Sequence, residues 1–168
     1  MERTLIILKP DAVKRGIVGE VLSRFEKAGF KIIGCKMLKP DYDHYYKHYE
    51  DISKMISRRG QEAFDVTLKA MSEGPVIAAV LEGIEAVAVV RKMVGETEPN
   101  KAAPGTVRGD FSHISFKHAG EHKVGVPNVI HASGSTEEAE QEVPHWFNKE
   151  ELFEYQTVHE HYTQPKAS

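Results

Sequence analysis

The chain has 168 residues, which is enough to bury one substantial core and short for two domains of ordinary size. Apolar residues make up 40% and charged residues 28%, a balance typical of a globular protein and not of a disordered chain. The longest apolar stretches, Thr4 to Leu8 and Pro75 to Leu81, are far shorter than the ~20 residues of a membrane helix. The net charge of -3 gives no overall attraction to nucleic acid, so basic chemistry must be concentrated in a site.

The start of the chain predicts a cytoplasmic protein. Met1 to Thr4 leads directly into an apolar run and lacks the features of a secretory signal. The single Cys35 has no partner for an intramolecular disulfide, which suits a reducing compartment. We therefore expect neither secretion nor a membrane span.

The first elements follow from apolar patterning and helix-breaking residues. Thr4 to Leu8 predicts a buried strand, which Pro10 prevents from continuing as a central strand. The spacing of apolar residues from Val18 to Ala28 predicts a helix that Gly29 ends, and Phe30 to Leu38 predicts a second strand. The same signals predict a polar helix after Asp41 that includes Tyr45, His48 and Tyr49, a helix over Ala63–Met71, a strand over Pro75–Leu81 and a helix over Ile84–Val94.

The second half of the chain has fewer regular patterns. Residues 97–110 contain two prolines and two glycines, which predicts an irregular loop, and residues 112–126 read as an inserted segment rich in His, Lys and Gly. Asn128 to Ile130 predicts a short strand that places His131 at its end. Ser135 followed by Glu138 resembles a capping box that begins a helix, in which Pro144 interrupts the regular hydrogen bonding. The polar tail has three expected anchors, Leu152, Phe153 and Tyr155.

Four short strands with helices between them predict an α+β fold. We expect a compact single domain in which helices cover one face of the sheet. The chain shows no internal repeat and no Gly-, Ser- or Pro-rich linker that would divide it. Residues 1–168 are therefore predicted to form one domain.

The most informative segment runs from Asn128 to Ser135 and reads Asn-Val-Ile-His-Ala-Ser-Gly-Ser, with Glu138 and Glu142 downstream. It resembles the active-site signature of nucleoside diphosphate kinases. Further blocks match that family in order: residues 4–19, 74–75, 94–97, 104–111 and 146–147. The resemblance implies that the chain moves the γ-phosphate of a nucleoside triphosphate to a nucleoside diphosphate in a ping-pong reaction, through a phosphohistidine at His131.

The chemistry of the residues agrees with this interpretation. An imidazole nitrogen can accept and return a phosphoryl group near neutral pH. Glu142 lies on a helix that can turn back towards His131, where a carboxylate would fix the tautomer and stabilise the positive ring. Phosphoryl transfer also requires cations that converge on the phosphate oxygens, and Lys9, Arg91 and Arg108 are the candidates.

The resemblance also implies roles for the residues that line the site. Lys9 and Tyr49 would support the transferring phosphate and the nucleophile, Arg91, Thr97 and Arg108 would hold the other phosphates, and Asn128 with Lys9 would contact the sugar hydroxyls. Family members use Mg²⁺ carried mainly by the nucleotide phosphates, in keeping with the oxygen ligands that this ion prefers. The family further implies a ferredoxin-like sheet of four antiparallel strands and assembly into homo-hexamers or homo-tetramers.

This sequence departs from the family pattern at three places. Gly134 stands where many members have Asp, so an acidic group near the nucleophile is expected to be missing. The segment between Tyr49 and Phe64 is longer than in common members, which leaves Phe64 as the candidate for the aromatic that stacks on the base. The segment 112–126 is also longer than usual, and it is expected to be either an oligomer contact or a surface hairpin.

Several alternatives stay open at this stage. His44 with His48, and His118 with His122, have a spacing that could hold a metal, but neither pair has a persuasive third ligand and solvated helix faces are favoured. Arg58-Arg59 reads as a charged surface turn. A catalytically silent nucleotide-binding or assembly protein on the same fold is the main competitor, and a histidine phosphatase is a third possibility. No P-loop or protein-kinase motif is present.

Overall fold

A computed structural model describes residues 1–163. Its centre is a four-stranded sheet with the order β2-β3-β1-β4. The strands are β1 (Glu2–Leu8), β2 (Lys31–Leu38), β3 (Val76–Gly83) and β4 (Ile130–Ala132). All neighbouring strands pair antiparallel, so the four-stranded antiparallel sheet is confirmed.

Short helices connect and cover the strands. The α-helices of the described residues are α1 (Pro10–Lys14), α2 (Val18–Lys27), α3 (Tyr42–Tyr46), α4 (Met55–Arg59), α5 (Gln61–Met71), α6 (Ala86–Val94), α7 (Val107–Phe111), α8 (Phe116–Glu121), α9 (Thr136–Trp146) and α10 (Glu160–Thr163). A π-helix (Lys47–Ile52) continues α3, and two 3₁₀ turns cover Pro99–Lys101 and Lys149–Glu151.

Helices cover both faces of the sheet, which corrects the prediction of one covered face. Along β1, Ile6 and Leu8 belong to a core that includes residues of α2 and α6. Leu5 and Ile7 belong to a second core formed with α3, the π-helix, α5 and α9. Side chains of a strand alternate between the two faces, so the continuous apolar run of β1 is the pattern of a strand buried on both sides.

Short helices occur at several places where the sequence predicted none. Pro10 was expected only to end the strand, but it opens α1, where its fixed φ suits the first helical position and its missing N–H is not needed. The predicted irregular loop 97–110 contains a 3₁₀ turn and the start of α7, which Thr106 caps by accepting a hydrogen bond from Gly109 N. The segment 112–126 holds α8, so it is not a simple hairpin.

The strand predicted at Asn128–Ile130 begins two residues later than expected. Val129 is buried and has a φ of +70°, a left-handed conformation that is strained for a β-branched residue. Ile130 N donates to Asn128 O at 2.7 Å across this residue, which forms a three-residue turn. The strand therefore starts at Ile130 and holds His131 at its centre, opposite Ile7 of β1.

The described residues after β4 include α9 and a segment that returns to the edge strand β2. Helix α9 continues through Pro144 to Trp146, so the proline does not end the helix. Leu152 packs against the core as predicted, but the Phe153 side chain is exposed and only its backbone N–H is anchored, to Ile33 O. The Tyr155 hydroxyl donates to Ile32 O at 2.7 Å, so this residue is an anchor.

Within the described residues, no helix is both long and apolar enough to cross a membrane.

Candidate active site

His131 is held in a defined orientation by a buried carboxylate. Its side chain is 16% exposed, and its Nε2 lies 3.0 Å from Oε1 of Glu142 on α9. Because an ionised carboxylate only accepts hydrogen bonds, Nε2 is assigned the proton of the neutral ring. The other nitrogen, Nδ1, then carries a lone pair, and none of the described hydrogen bonds engages it.

Glu142 is itself fixed on both oxygens. It is fully buried, and Ser133 Oγ donates to its Oε2 at 2.6 Å. Ser133 in turn accepts from Leu5 N of β1 at 3.1 Å, which ties the carboxylate to the central strand. Burial opposes ionisation of Glu142, but the neighbouring His131 and His48 rings and the two hydrogen bonds outweigh it and lower its pKa to about 2. The carboxylate is therefore charged at neutral pH.

Two aromatic side chains of the π-helix pack beside the His131 ring. The His48 ring centroid lies 4.5 Å and the Tyr49 centroid 6.3 Å from that of His131, both nearly perpendicular to it. Burial and the neighbouring His131 hold the pKa of His48 well below its usual range, so this ring is neutral and accepts from Trp146 Nε1 through Nδ1. The buried Tyr49 hydroxyl has no protein partner among the described residues. A phosphate oxygen would satisfy it.

The predicted solvated face for His44 and His48 is wrong. His48 is fully buried beside the candidate nucleophile, and His44 stacks on His145 with ring centroids 4.0 Å apart. The His48 ring therefore faces the core, and the His44 ring faces α9. One signal in the sequence points to this: His48 and Tyr49 follow Tyr45 by three and four residues, so a helix places all three side chains on one face.

Lys9 meets the site at the end of β1. Its Nζ donates to Oδ1 of Asn128 at 2.6 Å, and Asn128 Nδ2 donates to Thr97 O at 2.9 Å. The structure thus brings three of the predicted nucleotide-binding residues into one chain of hydrogen bonds. Burial of the ammonium and the nearby Arg108 charge lower the pKa of Lys9 to about 8.

Arg108 is the most firmly held cation of the site. Its guanidinium is buried and donates to three backbone carbonyls, those of Asn128, Gly95 and Ile130, at 3.3, 2.9 and 2.7 Å. Through these three hydrogen bonds Arg108, a residue of α7, connects the strained turn before β4, the residue that follows α6 and the start of β4. Burial and the charge of Arg91 lower the pKa of Arg108 to about 10, which leaves it protonated at neutral pH.

Arg91 reaches the same strand from α6. Its Nη1 lies 3.5 Å from Ala132 O, at the limit of a hydrogen bond. Arg108 contacts Ile130 O and Arg91 approaches Ala132 O, so the two guanidinium groups flank the backbone of His131. Two of the three predicted cations therefore flank the candidate nucleophile, and the third, Lys9, contacts Asn128, three residues before it.

Phe64 does not belong to this site as predicted. Its side chain is only 1% exposed, lies in the core beneath the sheet and meets Tyr46 edge-on. A buried ring has no free face on which a base could stack, so the prediction is corrected. The sequence could not distinguish a core phenylalanine from an exposed one at this position.

Gly134 has no acidic side chain, as expected, but its backbone N–H contacts an acidic residue of α9. Glu138 on the first turn of α9 accepts a hydrogen bond from Gly134 N at 3.0 Å and one from the side chain of Arg58 at 2.9 Å. The Ser135 side chain caps the helix as predicted, by accepting from Glu138 N, but the reciprocal contact of the capping box goes to Gly134. Arg58 lies on α4 and not in an open surface turn.

Two groups of side chains offer nitrogen and oxygen atoms within 4.8 Å of one another. One is His48, His131 and Glu142, whose contacts already account for its geometry. The other is His118, Glu121 and His122 at the end of α8, so the second histidine pair does have a carboxylate neighbour. All three residues of this group are exposed on a single helical turn, which agrees with the solvated face predicted for the histidines.

Comparison with known proteins decides between the families that could use this arrangement. The sequence model described as nucleoside diphosphate kinase matches residues 2–152. The chain belongs to the nucleoside diphosphate kinase family. It is therefore an enzyme that moves the γ-phosphate of a nucleoside triphosphate to a nucleoside diphosphate through a phosphohistidine, and the predicted family, activity and ferredoxin-like fold are confirmed.

Individual relatives agree over nearly the full length. Nucleoside diphosphate kinases of Borreliella burgdorferi and Pyrococcus horikoshii are 44% and 49% identical to this chain, with 92% of this chain covered in both cases and 92% and 90% of the relatives. A solved structure of the Borrelia burgdorferi enzyme, a transition-state mimic with bound vanadate and ADP, has a TM-score of 0.92 at 42% identity and covers 96% of this chain and 95% of its own. The Halobacterium salinarum enzyme in complex with CDP has a TM-score of 0.80 at 31% identity, with 96% and 97% covered.

Proposed function

We propose that Nδ1 of His131 is the atom that accepts and returns the phosphoryl group. The observation that carries this proposal is the hydrogen bond between Nε2 and Glu142, which leaves the lone pair on Nδ1. The backbone on either side of His131 is flanked by Arg108 and Arg91, whose charges suit the oxygens of a transferring phosphate. The ring thus combines a fixed tautomer with a cationic surrounding.

The first half-reaction forms one bond and breaks one. The Nδ1 lone pair forms a bond to the γ-phosphorus, the bond between that phosphorus and its bridging oxygen breaks, and the electron pair leaves with the nucleoside diphosphate. The ring retains its proton on Nε2 and becomes positive, and the Glu142 carboxylate stabilises that charge. The acceptor diphosphate then attacks the phosphorus from the place the donor left, and the same steps run in reverse.

The remaining residues position the nucleotide. Lys9, Arg91 and Arg108 neutralise phosphate oxygens, and the unpartnered Tyr49 hydroxyl donates to one of them. Thr97 contributes to the phosphate site. Asn128, already bonded to Lys9, contacts the sugar hydroxyls together with that lysine.

Mg²⁺ suits this site as a companion of the nucleotide. The groups that converge on the phosphate position are cations, so they fit phosphate oxygens and offer no carboxylate cage for a bare divalent ion. A bound magnesium ion would spread and neutralise phosphate charge, while the residues of the chain orient the nucleotide and the ring. We therefore propose that magnesium is held mainly by the phosphates.

The substrates follow from the family and its solved structures. Relatives were solved with ADP and with CDP, which supports a nucleoside diphosphate as acceptor and a triphosphate as donor in this chain. Recognition through phosphates and sugar predicts broad tolerance of the base. Assembly into a homo-hexamer or homo-tetramer, and a cytoplasmic location, stay predictions for which size measurements and fractionation are the tests.

The test is phosphorylation of the whole chain by ATP and Mg²⁺, followed by intact mass. We expect the wild-type chain to gain one phosphoryl group and His131→Ala to gain none. His122→Ala, which removes an exposed histidine of α8, is the matched control and should gain phosphate normally. Absence of phosphate on a folded wild-type chain would contradict the proposal and favour a silent binding protein. Loss of the phosphate to water in the absence of a diphosphate would favour a phosphatase.

A further inference from the structure

Helix α4 is a short, partly exposed segment between two residues with left-handed backbones. It covers Met55–Arg59, and none of its residues is buried. Lys54 before it has a φ of +52° and Gly60 after it a φ of +88°, both in the left-handed region. A single helical turn of this length is not stable by itself, so contacts with other elements must fix its position.

One of these contacts reaches the helix that carries Glu142. Arg58 Nη1 lies 2.9 Å from Oε1 of Glu138, on the first turn of α9. The other carboxylate oxygen, Oε2, accepts from Gly134 N at 3.0 Å, three residues after His131. The Glu138 side chain is only 13% exposed, whereas Arg58 is 61% exposed. A well-placed carboxylate thus joins the turn after the nucleophile to the charged end of α4, whose first residues, Met55 and Ile56, pack against the core.

Gly134 leaves open the space that this carboxylate occupies. A Cβ atom built at Gly134 would lie 2.4 Å from Oε2 and 3.1 Å from Cδ of Glu138. The backbone of Gly134 is not left-handed, so any residue could adopt its conformation. Glycine therefore suits this position because it lets the Glu138 carboxylate approach the backbone closely, and not because the backbone adopts a left-handed conformation.

The residue after Arg58 connects α4 to α8. The Arg59 guanidinium lies 5.5 Å from the ring centroid of Phe116 on α8. Its charge acts on both Lys9 and Arg108, where it helps to lower the pKa of each group. Phe116 N donates to Oε1 of Glu98, the neighbour of Thr97. The segment therefore contacts α9 through Arg58 and α8 through Arg59.

We propose that Glu138 is a positioning residue: through Arg58 it holds α4 across the mouth of the nucleotide site, and Gly134 leaves the space that its carboxylate needs. The held segment places Arg59 where it adds a fourth cation for the nucleotide phosphates. This inference rests on the proposed function of the same site. Glu138 does not touch the reacting atoms, so its effect is on nucleotide binding and not on the chemical step.

The first test compares kcat and KM for a nucleoside diphosphate in Arg58→Met, Glu138→Gln and the double variant. We expect each single change to raise KM about fivefold, as the loss of one exposed ion pair permits, with kcat within about twofold of wild type. Because both changes break the same contact, the double variant should be no worse than either single variant. Lys14→Met, which removes the exposed ion pair with Glu73, is the control and should leave KM unchanged.

Arg58→Met separates positioning from a merely structural role. It leaves the bond between Glu138 and Gly134 N intact, so the start of α9 and the melting temperature should not change. The wild-type KM should rise with added salt towards that of the variants, whereas the KM of the variants should depend less on salt. An unchanged KM in Arg58→Met, or additive effects in the double variant, would overturn the proposal.

The second test addresses Gly134. Gly134→Ala should displace the Glu138 carboxylate and raise KM as Glu138→Gln does, and it should add little to that variant. Gly19→Ala, at a glycine whose Cβ would meet nothing within 4 Å, is the matched control. A normal KM in Gly134→Ala would contradict the account of the glycine. All variants should still gain phosphate at saturating ATP, so a wild-type chain without phosphate would refute the proposed function itself and not this inference.

Discussion

The floor and the rim of the nucleotide site are built in different ways. The floor consists of Lys9, Arg108, Asn128, His131 and Glu142, which hydrogen bonds fix to one another or to the backbone around β4. The rim consists of α4 and α8. Met55 and Ile56 of α4 and Ala119 of α8 are at least half-buried, but the charged ends of the two helices are held only by an exposed ion pair, a cation-π contact and a hydrogen bond from Phe116 N to the Glu98 side chain. Buried and charged groups must be satisfied inside the protein, whereas exposed pairs compete with water.

We expect this difference to separate the chemical step from the entry and release of the nucleotide. The floor cannot move without leaving buried charges unpaired, so it keeps the tautomer of His131 and the cations in place. We expect the charged ends of the rim to move more easily than the floor, because their contacts are weak and a nucleotide must enter and leave. Substitutions in the floor should therefore act mainly on the chemical step, and substitutions in the rim on binding.

The largest effect on kcat is expected from Glu142, a floor residue that contacts His131 and not the nucleotide. Glu142→Gln keeps the shape of the side chain but removes the charge that stabilises the positive ring of His131. We expect kcat to fall about a thousandfold and KM to change little. Steady-state kinetics on a variant with a normal melting curve is the measurement. A kcat within tenfold of wild type would mean that the carboxylate only orients the ring.

A smaller effect is expected from the titration of Lys9. The pKa of its ammonium is lowered to about 8, so the group is charged below that pH and loses its charge as the pH rises through it. The KM for the nucleotide should therefore be lowest below pH 8 and rise roughly tenfold by pH 9.5. In Lys9→Arg the guanidinium stays charged, so the same pH series should show a flatter KM. Identical profiles in both proteins would assign the change to another group.

The smallest effect is expected at the rim. Phe116 is 39% exposed, and its described aromatic contact is with the Arg59 side chain. Phe116→Ala should lower the free energy of unfolding by less than about 1 kcal/mol and leave kcat unchanged, as an exposed cation-π pair permits. Chemical denaturation and steady-state kinetics provide the two values. A large loss of kcat would show that the rim takes part in the chemical step.

The sequence predicted the floor better than the rim for a physical reason. Strands β1 and β3 and helices α2 and α6 carry dense apolar patterns, which specify both element and burial. Their ends then place Lys9 and Arg91 near the site. The predicted pair of His131 and Glu142 is also confirmed as a contact, because the helix after Ser135 does turn back beside β4.

The rim gave weaker signals. Helix α4 contains Arg58-Arg59 and no buried residue, so it resembles a surface turn in sequence. Helix α8 lies in a segment with several His, Lys and Gly residues, whose polar pattern has no helical period. The partnership of Gly134 with Glu138 depends on a side chain filling the space of a missing Cβ, which no pattern in a single sequence reveals. The burial of Phe64 and the left-handed Val129 likewise result from tertiary packing.

The most direct test of the account isolates the phosphorylated enzyme. The chain is treated with ATP and Mg²⁺, all nucleotide is removed, and the phosphoenzyme is mixed with GDP. We expect one GTP for each phosphohistidine consumed, with the label mapped to Nδ1 of His131. Phosphate on Nε2 or on another residue, or a stable phosphoenzyme that does not form GTP, would contradict the central claim that Glu142 fixes His131 as a two-way phosphate carrier.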